Sequence, residues 1–238
     1  GVYFGSHGGG VNHRRSDGSI DIIDMEDGLT HNEVSAIFRD SKGRVWVGTS
    51  EGLNRIEGDG TVKQFSQAEG FTNSPVFCVY EDSGGRIWVG SVKGLYLYRN
   101  GKFIQFTVRS GLFDDKVYTI LEDGRGHFWM SCNKGVSRVR ISQLLELADG
   151  LRDSVTHTHF GTEDGMCSSE CNFGGGNSGA RLPDGTLVFP TIMGVVLIDP
   201  SEETSVRFPP VLIEKVVADN RVIRATGDWL APAGVENI

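Results

Sequence analysis

Positive charge is scarce in this chain. Its 238 residues include 23 Lys and Arg against 31 Asp and Glu, a formal net charge of −8. A basic footprint for nucleic acid is therefore absent, and no run of Lys or Arg would hold the chain on an anionic membrane. No stretch of eighteen apolar residues exists, so nothing in the sequence reads as a bilayer-spanning helix. Proline is sparse, at 7 residues, and the four cysteines match no zinc spacing. Cys167 and Cys171 are four apart and share what reads as one polar loop, where an oxidising compartment could pair them if geometry allowed. Cys78 and Cys132 lie in apolar runs and read as small core residues. The opening Gly-Val-Tyr-Phe-Gly resembles neither a signal peptide nor a natural start, so the chain reads as cut at both ends.

Glycine is plentiful instead, at 33 residues, which points to many tight turns. The turns recur. GLTHNEVSAIFRDSKGRVWVGTSEGLNRI from Gly28, GFTNSPVFCVYEDSGGRIWVGSVKGLYLY from Gly70 and GLFDDKVYTILEDGRGHFWMSCNKGVSRV from Gly111 align almost without gaps. Trp88 follows Trp46 by 42 residues, and Trp129 follows Trp88 by 41. A weaker fourth copy opens at Gly165, with Val188 at the tryptophan position, and VYFGSHGGGVNHR at the start reads as the second half of a further copy.

Each copy divides into four short strands. In the first, Val34–Phe38, Arg44–Thr49, Leu53–Ile56 and Thr61–Phe65 are β-branched or aromatic runs separated by turn residues. Four antiparallel strands per repeat of about 42 residues is the signature of a propeller blade. The expected fold is all-β, with four full blades and one partial blade over residues 1–205. Ser142–Ala148 is the one helical segment and reads as a surface insertion. Residues 206–238, after Phe208-Pro209-Pro210, read as the first hairpin of a second, incomplete β domain.

The recurring residues also carry a resemblance. They are similar to the two-component regulator propeller repeat, whose consensus is close to GL-x-x-N-x-V-x-x-I-x-x-D-x-x-G-x-x-W-x-G-T-x-x-G-L. The first copy supplies Gly28, Leu29, Asn32, Val34, Ile37, Asp40, Gly43, Trp46, Gly48 and Thr49. The second supplies Gly70, Asn73, Val76, Asp82, Gly85, Trp88 and Gly90, and the third Gly111, Leu112, Val117, Asp123, Gly126 and Trp129. The third departs at Asp114 for Asn and at Ser131 for Gly, which points to a modified turn. The tail resembles the join to an immunoglobulin-like, triple-tyrosine domain. What the resemblance implies is the periplasmic or extracellular sensor region of a signalling receptor whose output is a histidine kinase, a hybrid kinase or a diguanylate cyclase. It implies a small-molecule or oligosaccharide ligand, a homodimer formed through the receptor, and contact with the membrane only through the parent. Rings of about seven blades are usual for such propellers, so an arc would expose blade faces that normally pack on neighbours.

The chemistry-bearing residues fit that picture. Trp46, Trp88 and Trp129 recur at one position and read as packing wedges, with Gly43, Gly85 and Gly126 as turn residues. Asp40, Asp82 and Asp123 offer one carboxylate per turn, too few for calcium. The glycine triplets at residues 8–10 and 174–176 lack the following helix of a phosphate cradle and read as loops or bulges. His157 and His159 could point to one face of a strand as a metal pair, but no third ligand is near in sequence. No catalytic residue and no cofactor are expected, although a propeller-fold lyase or hydrolase stays open if two carboxylates, or a His and a carboxylate, converge at the centre. A protein-docking scaffold is the other alternative. The variable loops after each Gly-Leu supply the candidate ligand contacts: His31, Asn32, Asn73, Ser74, Asp114 and Asp115. For the asparagines, turn capping is the simpler reading.

Overall fold

In the computed structural model, residues 1–173, 176, 178–202, 216–218 and 221–223 are described. Contacts divide the chain into two units, Gly1–Ser201 and Glu202–Ile238. The first unit is a series of five antiparallel sheets. Sheet one holds β1 (Val2–Gly5), β2 (Val11–Arg14) and β3 (Ile20–Ile23). Sheet two holds β4 (Val34–Arg39), β5 (Val45–Thr49), β6 (Gly52–Ile56) and β7 (Val62–Phe65). Sheet three holds β8 (Val76–Glu81), β9 (Ile87–Ser91), β10 (Gly94–Arg99) and β11 (Lys102–Phe106). Sheet four holds β12 (Thr119–Glu122), β13 (His127–Cys132), β14 (Gly135–Arg140) and β15 (His157–Phe160), with the helix α1 (Ile141–Ala148) between the last two. Sheet five holds β16 (Ala180–Arg181), β17 (Leu187–Thr191) and β18 (Gly194–Ile198). Each strand pairs with the next in sequence, so every sheet is a meander. This is the propeller-blade architecture the repeat predicts, with three four-stranded blades and, among the described residues, three strands in the first and fifth.

The first strands of the second to fifth blades lie against one another in turn, β4 on β8, β8 on β12 and β12 on β16. Four apolar clusters fill the spaces between blades. One joins Trp46, Leu53 and Phe65 of the second blade to Val79, Ile87 and Tyr96 of the third. The next joins Trp88, Leu97 and Phe106 to Ile120, Phe128 and Met130. The others join Leu121 and Trp129 to Leu187 and Phe189, and Val11 to Val45, Val47 and Ile56. The three repeat tryptophans are at most 2% exposed. Trp88 meets Phe128 of the following blade edge-to-face, ring centroids 5.0 Å apart. A residue repeated once per blade is thereby the repeated inter-blade contact.

The Asp-x-x-Gly turns are more than turns. Asp82 is buried, accepts from the Gly84 and Arg86 amides at 2.9 and 3.0 Å, and pairs with the Arg86 Nε at 2.7 Å. Its other oxygen also accepts from the Trp88 indole at 2.7 Å. Asp40 and Asp123 accept from Trp46 and Trp129 in the same way, at 2.9 and 3.0 Å. One buried carboxylate thus fixes both the hairpin and the tryptophan rotamer. In the fifth blade the two positions change together, to Leu182 and Val188.

Two sequence readings are corrected here. Ser131 lies inside β13, opposite Thr119 and Val136, and not in a turn. The matching positions in β5 and β9 are glycine, Gly48 and Gly90, because a Cβ there would meet Val76 Cγ1 at 2.5 Å or Cys78 Sγ at 2.6 Å. Cys171 is buried core rather than polar loop. Its amide donates to Cys132 O as the Val117 amide donates to Ser91 O, so it holds the valine position of the fifth blade. Burial pushes its thiol up to about 11. Cys167 is exposed, and the two are free thiols.

Apolar side chains stand exposed on both end sheets: Val2, Phe4, Ile20 and Ile22 on the first, and Val195 and Leu197 on the last. In the second unit, β19 (Val216–Ala218) pairs antiparallel with β20 (Arg221–Ile223). The remainder of the expected immunoglobulin-like segment, 206–238, lies outside the described residues.

Candidate functional site

The loops that lead into each first strand place the six candidate residues as follows. His31 Nδ1 accepts from the Glu33 amide at 3.0 Å and lies 2.8 Å from Ser50 Oγ. Asn32 Oδ1 accepts from the Met25 amide at 2.8 Å, and Asp115 Oδ1 from the Val108 amide at 2.8 Å. Ser74 is buried and donates to Thr72 O at 3.0 Å. These four side chains close their own loops. Asp114 accepts from the Lys116 amide and pairs with Lys134 Nζ at 2.7 Å. Burial alone would raise its pKa, but these two donors more than offset that and hold it below the usual carboxylate range. Asn73 is exposed. The loop geometry also shifts one alignment: Pro75 O and Glu33 O each accept the equivalent turn amide, from Val92 and Ser50. Ser74, not Asn73, is therefore the counterpart of Asn32. The structure does not gather the six into one pocket.

What it does gather comes from the entry to the inner strands. The ladder shifts register at Ser35 between Val34 and Ala36, and at Phe77 between Val76 and Cys78. Such a bulge re-aims a side chain. Tyr118 holds the same place in the fourth blade. In the fifth blade the segment is longer. Three residues separate Val117 from Leu121, whereas eight separate Cys171 from the matching Ala180, so five are extra. The first of them, Phe173, lands on its neighbours' bulge residues. Its ring is 4.6 Å from that of Phe77 and 5.3 Å from that of Tyr118, which are themselves 4.9 Å apart. The Gly176 amide reaches Ser35 O at 2.5 Å. Phe77 and Tyr118 are buried, but Phe173 remains 50% exposed. Beside it, the Tyr118 hydroxyl donates to Asn133 Oδ1 at 2.7 Å, and Asn133 adjoins the Lys134–Asp114 pair.

The insertion thus places an accessible aromatic face against Tyr118, whose hydroxyl holds the Asn133 amide. That combination suits a ligand with one apolar face and several hydroxyls. Residue-by-residue repeat reading could not find Phe173, because it belongs to no repeat position. The length of the fifth copy was the available signal.

Acid–base and metal chemistry is less developed. Among the described residues no group of three or more His, Cys, Asp or Glu is placed to hold a metal ion. His157 and His159 have ring centroids 6.5 Å apart, and the His159 ring stacks on Phe113 at 4.8 Å. His157 Nδ1 lies 2.9 Å from Gly111 O, so both rings brace the outer strand. His127 and Asp123 form a His–carboxylate contact at 3.1 Å, but in a hairpin turn already committed to Trp129. An exposed pair, His7 and Glu33, stands at 3.2 Å.

The family model for the two component regulator propeller matches residues 28–51, 70–93 and 111–134. These segments are two-component regulator propeller repeats. They contain the three Asp–Trp units described above, and they stop short of the fifth blade, where those units are lost. Among solved structures, the chain is similar to the extracellular domain ascribed to a hybrid two component system, BT3049, of B. thetaiotaomicron, at 22% identity and a TM-score of 0.68. That match covers 93% of this chain and 32% of the other. A second such domain, BT4673 from the same organism, matches at 19% identity and TM-score 0.64, over 85% of this chain and 28% of that one. Virginiamycin B lyase from Staphylococcus aureus follows at 16% identity and TM-score 0.58, over 84% and 67%. At these identities the likeness is one of fold. The chain spans about a third of the length of the two-component structures it matches. No curated protein matches the sequence.

Proposed function

We propose that this chain is part of the extracytoplasmic sensor region of a two-component receptor, and that it takes a small molecule or oligosaccharide on the rim built by Phe173. The observation that carries the reading is the five-residue insertion in the fifth blade, which sets an exposed ring across the bulge residues of two other blades. The regulator propeller repeats and the fold shared with extracellular domains of two component systems support the setting. A periplasmic or extracellular location goes with that setting. Signal transfer across a membrane, and a homodimer, would belong to the parent receptor.

A sugar ring would stack its apolar face on Phe173 while its hydroxyls reach Asn133 and the Lys134–Asp114 pair. No catalytic role is proposed, although lyases share the propeller fold. Titration of the protein with an oligosaccharide library, followed by thermal unfolding, tests the reading. A ligand bound only by the native state raises the Tm by mass action. Substitution F173A should remove the shift while leaving the unliganded Tm within a few degrees. A shift that survives F173A and Y118F places the ligand elsewhere.

A further inference from the structure

The opposite ends of the inner strands carry a second pattern. The last residues of β4, β8, β12 and β16 occupy one register position: Arg39, Glu81, Glu122 and Arg181. At two steps the glutamate reaches back to the hairpin turn of the preceding blade. Glu81 accepts from the Ser41 amide at 2.7 Å and from its hydroxyl at 2.6 Å. Glu122 accepts from Ser83 in the same way, at 2.8 and 2.6 Å. Each tie is one carboxylate held by one backbone N–H and one hydroxyl.

At the next step all the parts change. The serine is replaced by Gly124 and the glutamate by Arg181. The guanidinium lies over the glycine, since a Cβ on Gly124 would sit 3.0 Å from Arg181 Nη2. Arg181 is exposed, and its guanidinium makes no hydrogen bond or ion pair among the described residues. The Gly124 amide, at the position of the Ser41 and Ser83 amides, likewise donates to none of the described residues. Where two blades have a carboxylate, the third has its donor and an added cation, and a cleft of about 730 Å³ opens there. Tyr80, Leu121, Glu81 and Glu122 line it together with Gly124 and Arg181.

We infer that this cleft is a binding site for a small hydroxylated carboxylic acid. The ligand's carboxylate takes the place that Glu81 and Glu122 hold at the other steps, paired with the planar guanidinium fork of Arg181. The carboxylates of Glu81 and Glu122 accept from ligand hydroxyls and repel polyanions and bare inorganic anions. Tyr80 and Leu121 supply the apolar wall. This site lies at the far ends of the strands from Phe173 and does not depend on the reading of that rim.

The test uses calorimetric titration of the whole chain with D-gluconate, with sorbitol and sulfate in parallel. The expected result is saturable gluconate binding, at least about tenfold weaker in R181Q, as befits loss of a charged hydrogen-bonding partner. R181K, which keeps the charge but not the fork, should lie between. Sorbitol and sulfate should bind far more weakly than gluconate. Because the Arg181 guanidinium makes no hydrogen bond or ion pair among the described residues, R181Q should unfold at the wild-type temperature, and F173A should bind gluconate normally. No gluconate binding, binding unchanged in R181Q, or sulfate binding as tight as gluconate would each overturn the inference.

Discussion

Replacing Asp82 tests whether the hairpin carboxylate holds the blade together. In D82N the shape is kept, and the amide oxygen can still accept from the Gly84 and Arg86 amides. Its NH2 group, however, must face either those amides or the Trp88 indole and the Arg86 Nε, so donor meets donor. The indole is fully buried and finds no water. A buried donor left without a partner costs about 1–3 kcal/mol, and losing a charged acceptor for Arg86 adds about 1 kcal/mol at this partly exposed site. We expect D82N and D82A to lose about 2–4 kcal/mol each. For a unit of this size that corresponds to roughly 4–16 °C in Tm. W88F removes the donor instead, and the double substitution D82A/W88F should be less destabilising than the sum of the two, with a coupling of about 1–2 kcal/mol. The assay is urea unfolding followed by tryptophan fluorescence and circular dichroism, with coincident transitions as the check on two-state behaviour. A D82N variant within about 0.5 kcal/mol of wild type would refute the reasoning.

Other predictions follow from the same contacts. Burial alone would raise Asp40 and Asp123, but their hydrogen bonds from Trp46 and Trp129 and from backbone amides leave both pKa values lowered. Their folded-state pKa lies below the unfolded value of about 3.9, so their stabilisation is present above that pH and is lost as pH falls through the folded pKa. D40N should flatten the acid limb of a Tm-against-pH curve; an unchanged limb counts against the assignment. His127 is shifted down, chiefly by burial. The unfolded state then binds the proton more readily, and stability falls as pH drops through the unfolded value of about 6.5. H127R, which restores the residue seen at Arg44 and Arg86, should gain more Tm at pH 5 than at pH 8. The buried Ser131 hydroxyl has no hydrogen-bond partner among the described residues, so S131A should be neutral or stabilising by up to about 1 kcal/mol in urea unfolding. G90A should cost about 1–3 kcal/mol, because its Cβ would fall 2.6 Å from both Cys78 Sγ and Val117 O.

The blade architecture was legible because one period wrote it several times. Strand positions followed from alternating apolar runs and from glycines such as Gly43, Gly85 and Gly126, whose φ values are +80°, +72° and +88°. The tryptophans' place between blades followed from their recurrence. The Asp–Trp hydrogen bond was not read, since six residues along the chain say nothing of two side chains meeting across a hairpin. The loop residues misled for a related reason. Polar, variable residues after Gly-Leu look free in sequence, yet His31, Asn32, Ser74 and Asp115 are spent on their own backbones. Phe173 and Arg181 stand out only where the repeat breaks, one by an insertion and the other by an exchange of charge.

The most direct test of the sensor reading is a thermal-shift screen of wild type and F173A against oligosaccharides and small uncharged metabolites, with hydroxylated carboxylic acids left out. The account predicts that one chemical class raises the wild-type Tm reproducibly and that F173A abolishes the shift. A broad library that shifts neither protein, or shifts both equally, would contradict it.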